Sequence, residues 1–224
     1  MILDDGALLL VTLVMFWSKI WPYLIGTLDC PDGNSLRRLP GTGLRRGVAR
    51  QLPADARTGP LLQTEDYTRA VISQNAYGTH APPVESLAKV RMERQNSRLG
   101  GEHPAKLWAI LDEAAPRRTV GSADVMRDQL QALTEASELP NATVQLLPIS
   151  LGAHPGLYGP FVILTFPAPT PALVWLENPK NSVYLEADDD VDNYTEICDQ
   201  LRACALGPSE TRAHIAQISE ELTR

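Results

Sequence analysis

Five residues of this 224-residue chain have the types and the placing that chemistry requires: Asp112, Glu113, Arg117, His154 and Glu177. Asp112 and Glu113 follow directly on the dense apolar run KLWAIL at 106–111. They therefore stand at the carboxyl end of what reads as a buried strand, where open α/β sheets present ligand-binding groups. Arg117 is near enough in sequence to be their partner. The same set also suits a purely structural ion pair, since such pairs perturb carboxylates without any function. His154 lies in the glycine-rich stretch GAHPGLYGP, which predicts a loop residue on a rigid scaffold rather than a core side chain, and the best pH-active candidate of the five. Glu177 and Glu186 end two successive apolar runs. If they line the same crevice as Asp112, the pocket favours a cationic or hydroxyl-rich ligand; otherwise they are exposed strand ends.

No catalytic order emerges from these residues. A catalytic histidine needs an identified nucleophile or a second base, and neither a Ser/His/Asp nor a Cys/His arrangement can be defended. The glycines match neither phosphate-loop pattern, for there is no GKS or GKT and no GxGxxG after a strand. Gly156 stands where an HxK signature would place lysine two residues after His154. Cys30, Cys198 and Cys204 form no CxxC pair and no zinc-ligand spacing. Asp188, Asp189 and Asp190 lack the glycine and terminal glutamate of a calcium loop, and a helix start explains them. The expectation is a binding protein with no cofactor, no metal and no enzymatic activity; an enzyme centred on Asp112, Glu113 and His154 is the competing one.

Positioning these residues requires a fold that mixes helices and strands. Thr64, Glu65 and Asp66 mark a helix start, and a second helix runs from Pro82 or Pro83 to about Leu99, ended by Gly100 and Gly101. After the strand at 106–111, Ser122 caps a helix in which Met126, Leu130 and Leu133 recur at helical spacing. Three or four strands follow, at 143–147, 161–166, 173–176 and 183–185, and their short connections point to at least partly antiparallel pairing beside the earlier strand and helix. A helix from Val191 to about Ala205 and a last one from Ser209 close the chain. Cys198 and Cys204 fall on different faces of the first of these. The fold class is α+β, with a mixed, largely antiparallel sheet, flanking helices and a C-terminal helical pair over 61–224.

Residues 1–60 differ in kind. Residues 7–17 are apolar apart from Thr12, and the apolar character continues over 20–28. This is long enough to raise a membrane-tethered sensor as an alternative. Against it, Asp4 and Asp5 replace the basic start of a signal peptide, and Lys19 and Pro22 would sit near mid-bilayer. Residues 29–60 are rich in Gly, Pro and Arg and show no period, as in a solvated linker. The formal net charge of −7 repels phosphate backbones, so direct nucleic-acid binding by this chain is not expected.

Several stretches resemble one family. They read LLQTEDYTRAV at 61–71, RMERQ at 91–95, LWAILDEAAPRRTVG at 107–121, VMRDQLQALTEAS at 125–137 and NATVQLLPISLGAHPGLYGPFVILTFP at 141–167, followed by VWLEN at 174–178 and VYLEA at 183–187. In this order they resemble the domain of unknown function (DUF family 5753) found behind XRE-type helix-turn-helix domains in actinobacterial, WhiJ-like and antitoxin-like regulators. The resemblance implies a cytoplasmic role in transcriptional control, a small acidic partner protein encoded nearby or a small-molecule ligand, and no established catalysis. Upstream the chain departs from the pattern, since the helix-turn-helix and its connector are missing. Residues 51–59, back-translated in a shifted frame, read roughly SSLRTQEP, close to that connector; an out-of-frame origin would make the apolar N-terminus accidental, and the nucleotide sequence decides it.

Overall fold

The computed structural model describes residues 11–15, 59–75, 83–102, 104–177 and 182–222. Six strands are ordered β3-β2-β1-β4-β5-β6 in one sheet: β1 (Val11–Met15), β2 (Leu107–Asp112), β3 (Ala142–Leu147), β4 (Phe161–Leu164), β5 (Leu173–Glu177) and β6 (Ser182–Leu185). β1, β2 and β3 run parallel to one another, whereas β4 pairs antiparallel with β1, and β5 and β6 continue antiparallel. The helices are α1 (Glu65–Asn75), α2 (Val84–Leu99), α3 (Ala114–Arg117), α4 (Ala123–Ala136), α5 (Asp188–Cys204) and α6 (Pro208–Glu221). The α+β class with a mixed sheet and a C-terminal helical pair is as the sequence predicts.

Side-chain alternation along the strands gives the sheet two apolar faces. On one, Leu107, Ala109 and Leu111 of β2 and Val144 and Leu146 of β3 join Leu130 and Leu133 of α4 and Ile215 and Ile218 of α6 in a buried cluster. On the other, Ile110, Leu147, Phe161, Ile163 and Val174 pack with Cys198 and Leu201 of α5. A sheet covered on both faces needs strands that are apolar throughout, which is why its strands read as short unbroken runs. Cys198 is buried and Cys204 exposed, the split that their spacing on one helix predicts.

The same logic bears on the apolar N-terminus. Val11–Met15 is a central strand, hydrogen-bonded between β2 and β4. An apolar run paired in a sheet and one crossing a bilayer share their composition, so the sequence raises a tether over residues 7–28 where the structure has a strand at Val11–Met15. Among the described residues no helix is long and apolar enough to cross a membrane. The remainder of that run and the arginine-rich stretch 29–58 lie outside the described residues.

Local hydrogen bonds fix the entry to the domain. Gln95 Nε2 donates to the Leu61 carbonyl at 2.7 Å, and Gln129 Nε2 donates to that of Leu62 at 2.6 Å. Gln129 Oε1 in turn accepts from the Thr64 N–H at 2.8 Å. Both glutamines thus satisfy backbone groups that would otherwise be buried unpaired, a loss costing about 1–3 kcal/mol each. Ser122 caps α4 as expected, its hydroxyl accepting from the Val125 N–H. At the outer edge of the sheet, Leu146 of β3 donates its N–H to Thr211 Oγ1 and accepts from the Leu206 N–H, so the α5–α6 connection covers an edge that would invite pairing with another chain.

Candidate functional site

The parallel strands end together, and the last residue of β2 is Asp112. Asp112 and Glu113 are both buried, and they serve different partners. Asp112 Oδ1 accepts from the Ala114 N–H at 2.7 Å and starts the short helix α3. Its other oxygen, Oδ2, lies 3.5 Å from His154 Nε2. That distance is the outer limit of a hydrogen bond, so the two rings of contact around Asp112 differ in strength.

Glu113 is gripped from three sides. Its Oε1 accepts from Arg117 Nε at 2.6 Å and from His214 Nε2 at 2.8 Å, and its Oε2 accepts from the Ile149 N–H at 2.8 Å. Arg117 extends the chain of charge to Glu221 Oε2, also at 2.6 Å. Burial alone pushes the Glu113 carboxyl upward; the hydrogen bonds from His214, the Ile149 N–H and Arg117 outweigh it and hold it below the ordinary carboxylate value. Glu221 and Glu113 together raise the Arg117 guanidinium further above its already high value.

Both carboxylates therefore hold the connection between β3 and β4. This segment forms two short 3-10 turns, Ile149–Leu151 and Pro155–Tyr158, separated by Gly152 at φ 74° and followed by Gly159 at φ 135°. Glycine is the residue that adopts such angles without strain. Glu113 ties the start of the loop through Ile149, and Asp112 ties its middle through His154. Held in this way, the loop leaves Ile149 59%, Leu157 45% and Tyr158 97% exposed.

Of the five residues singled out from sequence, four meet here: Asp112 with His154, and Glu113 with Arg117. His154 needs a correction. It is a loop residue, but its side chain is only 5% exposed, turned inward onto Asp112 rather than presented to solvent. Glu177 ends β5 at the same end of the sheet as Asp112, since β5 and β6 pair there as Glu177↔Ser182. Three strand spacings separate β5 from β2, about 14 Å, so Glu177 is not placed beside the carboxylate pair. Its side chain lies outside the described residues. Glu186 follows β6 at the opposite end of the sheet, because β6 runs antiparallel to β5, and it shares no crevice with Asp112.

Sequence reasoning missed His214 and Glu221. They stand seven apart on α6 and so share a face of that helix, but nothing local links His214 to Glu113, 101 residues earlier, or Glu221 to Arg117, 104 residues earlier. The exposed apolar trio of the loop was also missed, although Ile, Leu and Tyr in a glycine-rich stretch were visible. Among the described residues no group of three or more His, Cys, Asp or Glu side chains is arranged to hold a metal ion. Chemically the arrangement anchors a loop through two acidic side chains and displays apolar surface beside them.

No curated protein and no solved structure matches this chain. One family model does, that of a domain of unknown function, DUF5753, over residues 59–217. The match takes in both carboxylates, the loop they hold and His214, and it places the chain in that family: this protein is a member of the DUF5753 domain family.

Proposed function

We propose that strand β1 together with residues 59–222 forms the partner- or ligand-sensing domain of a helix-turn-helix transcriptional regulator, acting by binding rather than by catalysis, and that the β3–β4 loop is its recognition surface. The observation that carries this reading is the trio Ile149, Leu157 and Tyr158, exposed on a loop that two buried carboxylates hold in place. Three large side chains kept exposed on one loop whose start is tied to a buried carboxylate suit a binding surface. The resemblance to regulators of the XRE and WhiJ-like type supports a transcriptional setting and a cytoplasmic location.

The charge of the chain narrows the mode of binding. At a net −7, it repels a small acidic partner protein at long range, so such a partner must be held by apolar contact with the loop rather than by charge steering. Association should then change little between 50 and 500 mM salt, or strengthen as repulsion is screened, on the Debye scale of about 10 Å at 0.1 M. The test is affinity purification from the host with the wild-type chain and with a Leu157→Asp/Tyr158→Asp variant. A partner recovered with the first and lost with the second, at equal thermal stability, supports the reading. A partner retained equally by both removes the loop from recognition, and tight salt-sensitive binding of a DNA duplex by the chain alone overturns the functional class.

A further inference from the structure

One side chain joins the exposed loop to the C-terminal helix. Glu113 accepts from the Ile149 N–H of the loop and from His214 of α6, while Arg117 of α3, bonded to the same carboxylate, reaches Glu221 at the end of α6. The charged and titratable groups around Glu113 are thus Arg117 on α3, His214 and Glu221 on α6, and, through the neighbouring tie, Asp112 on β2 with His154 on the loop. Three elements distant in sequence meet on two oxygen atoms. In the loop, Gly152 and Gly159 both have positive φ, the backbone that glycine adopts without strain.

We propose that Glu113 is a coupling latch between α6 and the β3–β4 loop: seating of His214 and Arg117 on its carboxylate fixes the Ile149 N–H, so movement of α6 changes how Ile149, Leu157 and Tyr158 are displayed, and occupancy of the loop is felt by α6. The proposal rests on the loop being the recognition surface and adds the means of its regulation. Coupling of this kind is reciprocal, and its physical basis is a shared hydrogen-bonding group rather than spatial nearness. An ordinary structural carboxylate would act differently, with loss of one partner affecting that partner's own contact and leaving the others in place.

The experiment is amide hydrogen exchange by NMR on the full chain without any partner, reading Ile149 in the loop and Ala109 at the centre of the sheet. In His214→Ala, which leaves Glu113 and the Arg117–Glu221 tie in place and removes only the direct bond from α6 to Glu113, Ile149 protection should fall about tenfold while Ala109 is unchanged, the size expected when a charge-assisted hydrogen bond loosens. Adding Glu113→Gln to His214→Ala should produce little more loss at Ile149 than Glu113→Gln alone, because both act through one contact. Unchanged Ile149 protection in His214→Ala overturns the latch, and so do fully additive losses in the double variant. Should Glu113→Gln fail to fold, the His214→Ala arm decides alone. Failure of the recognition reading shows separately, as partner capture that survives Leu157→Asp/Tyr158→Asp.

Discussion

Asp112 and Glu113 are neighbours in the chain and opposites in their surroundings. Glu113 takes three donors at 2.6 to 2.8 Å, from the Arg117 guanidinium, the His214 imidazole and the Ile149 N–H, and its carboxyl is held on the ionised side. Asp112 has one short bond, to the Ala114 N–H, and one contact at 3.5 Å to His154. The difference teaches which carboxylate carries the fold and which has slack. A buried charge satisfied on all sides is costly to disturb, whereas a buried acid and histidine at the edge of hydrogen-bonding distance can tighten or separate at little expense.

The sharpest way to test that contrast is to remove the better-held group. Glu113→Ala leaves Arg117, His214 and the Ile149 N–H without their shared acceptor, and the expected loss of stability is about 3 kcal/mol, the low end for breaking a buried ion pair because Arg117 and His214 keep access to water. Urea unfolding measures it. A loss under about 1 kcal/mol, the range of an exposed pair, would mean that the grip on Glu113 is nominal.

Acid should erase the same contribution in a direction set by the carboxyl itself. The folded value of Glu113 lies below its unfolded one, so its stabilisation is fully present above the unfolded value, about 4.3 for a glutamate, and disappears as pH falls through the folded value. The stability gap between wild type and Glu113→Gln should therefore be widest at neutral pH and shrink in acid. Unfolding curves from pH 7 to pH 2.5 read that gap directly, and one that widens on acidification reverses the assignment.

How much of this was legible in the sequence depends on the range of the contact. The strands at 107–112, 142–147 and 161–164 are visible because a sheet buried on both faces demands dense apolar runs, and the cap at Ser122 because it acts three residues away. Arg117 could be paired with Glu113 since the two stand four apart, within reach across one helical turn. His214 could not, because only the packing of α6 onto β3 brings it near. The inward turn of His154 is invisible for a related reason: a glycine-rich stretch announces a loop, and the direction of one side chain is set by a carboxylate 42 positions earlier. Val11–Met15 differs again: apolar composition alone does not separate a strand from a membrane segment, and the strand shows only in its pairing with β2 and β4.

Asp112→Ala should cost less than Glu113→Ala, about 1 kcal/mol, since it removes a cap-like bond to the Ala114 N–H together with a loose contact to His154. A cost equal to or above that of Glu113→Ala would break the contrast and make Asp112 the true anchor of the loop. Asp112→Asn sharpens the point, because the amide oxygen can keep the bond to Ala114 while the charge facing His154 is gone. If slack is what matters at His154, Asp112→Asn should leave stability almost unchanged yet alter exchange at the 154–157 amides.

The smallest expected effect lies furthest from both carboxylates. Tyr158 is 97% exposed, so Tyr158→Ser removes no buried area and should change stability by less than about 0.5 kcal/mol, the usual range for a surface site. It should nevertheless weaken partner capture, because a large amphipathic ring held at a loop tip is the type of residue that dominates interface energy. The pairing of results is what discriminates. Glu113→Ala should damage stability and recognition together, since it frees the start of the loop, whereas Tyr158→Ser should damage recognition alone. A Tyr158→Ser chain that loses stability as steeply as Glu113→Ala would mean that the ring is packed within the molecule, and the exposed trio would then cease to be a surface at all.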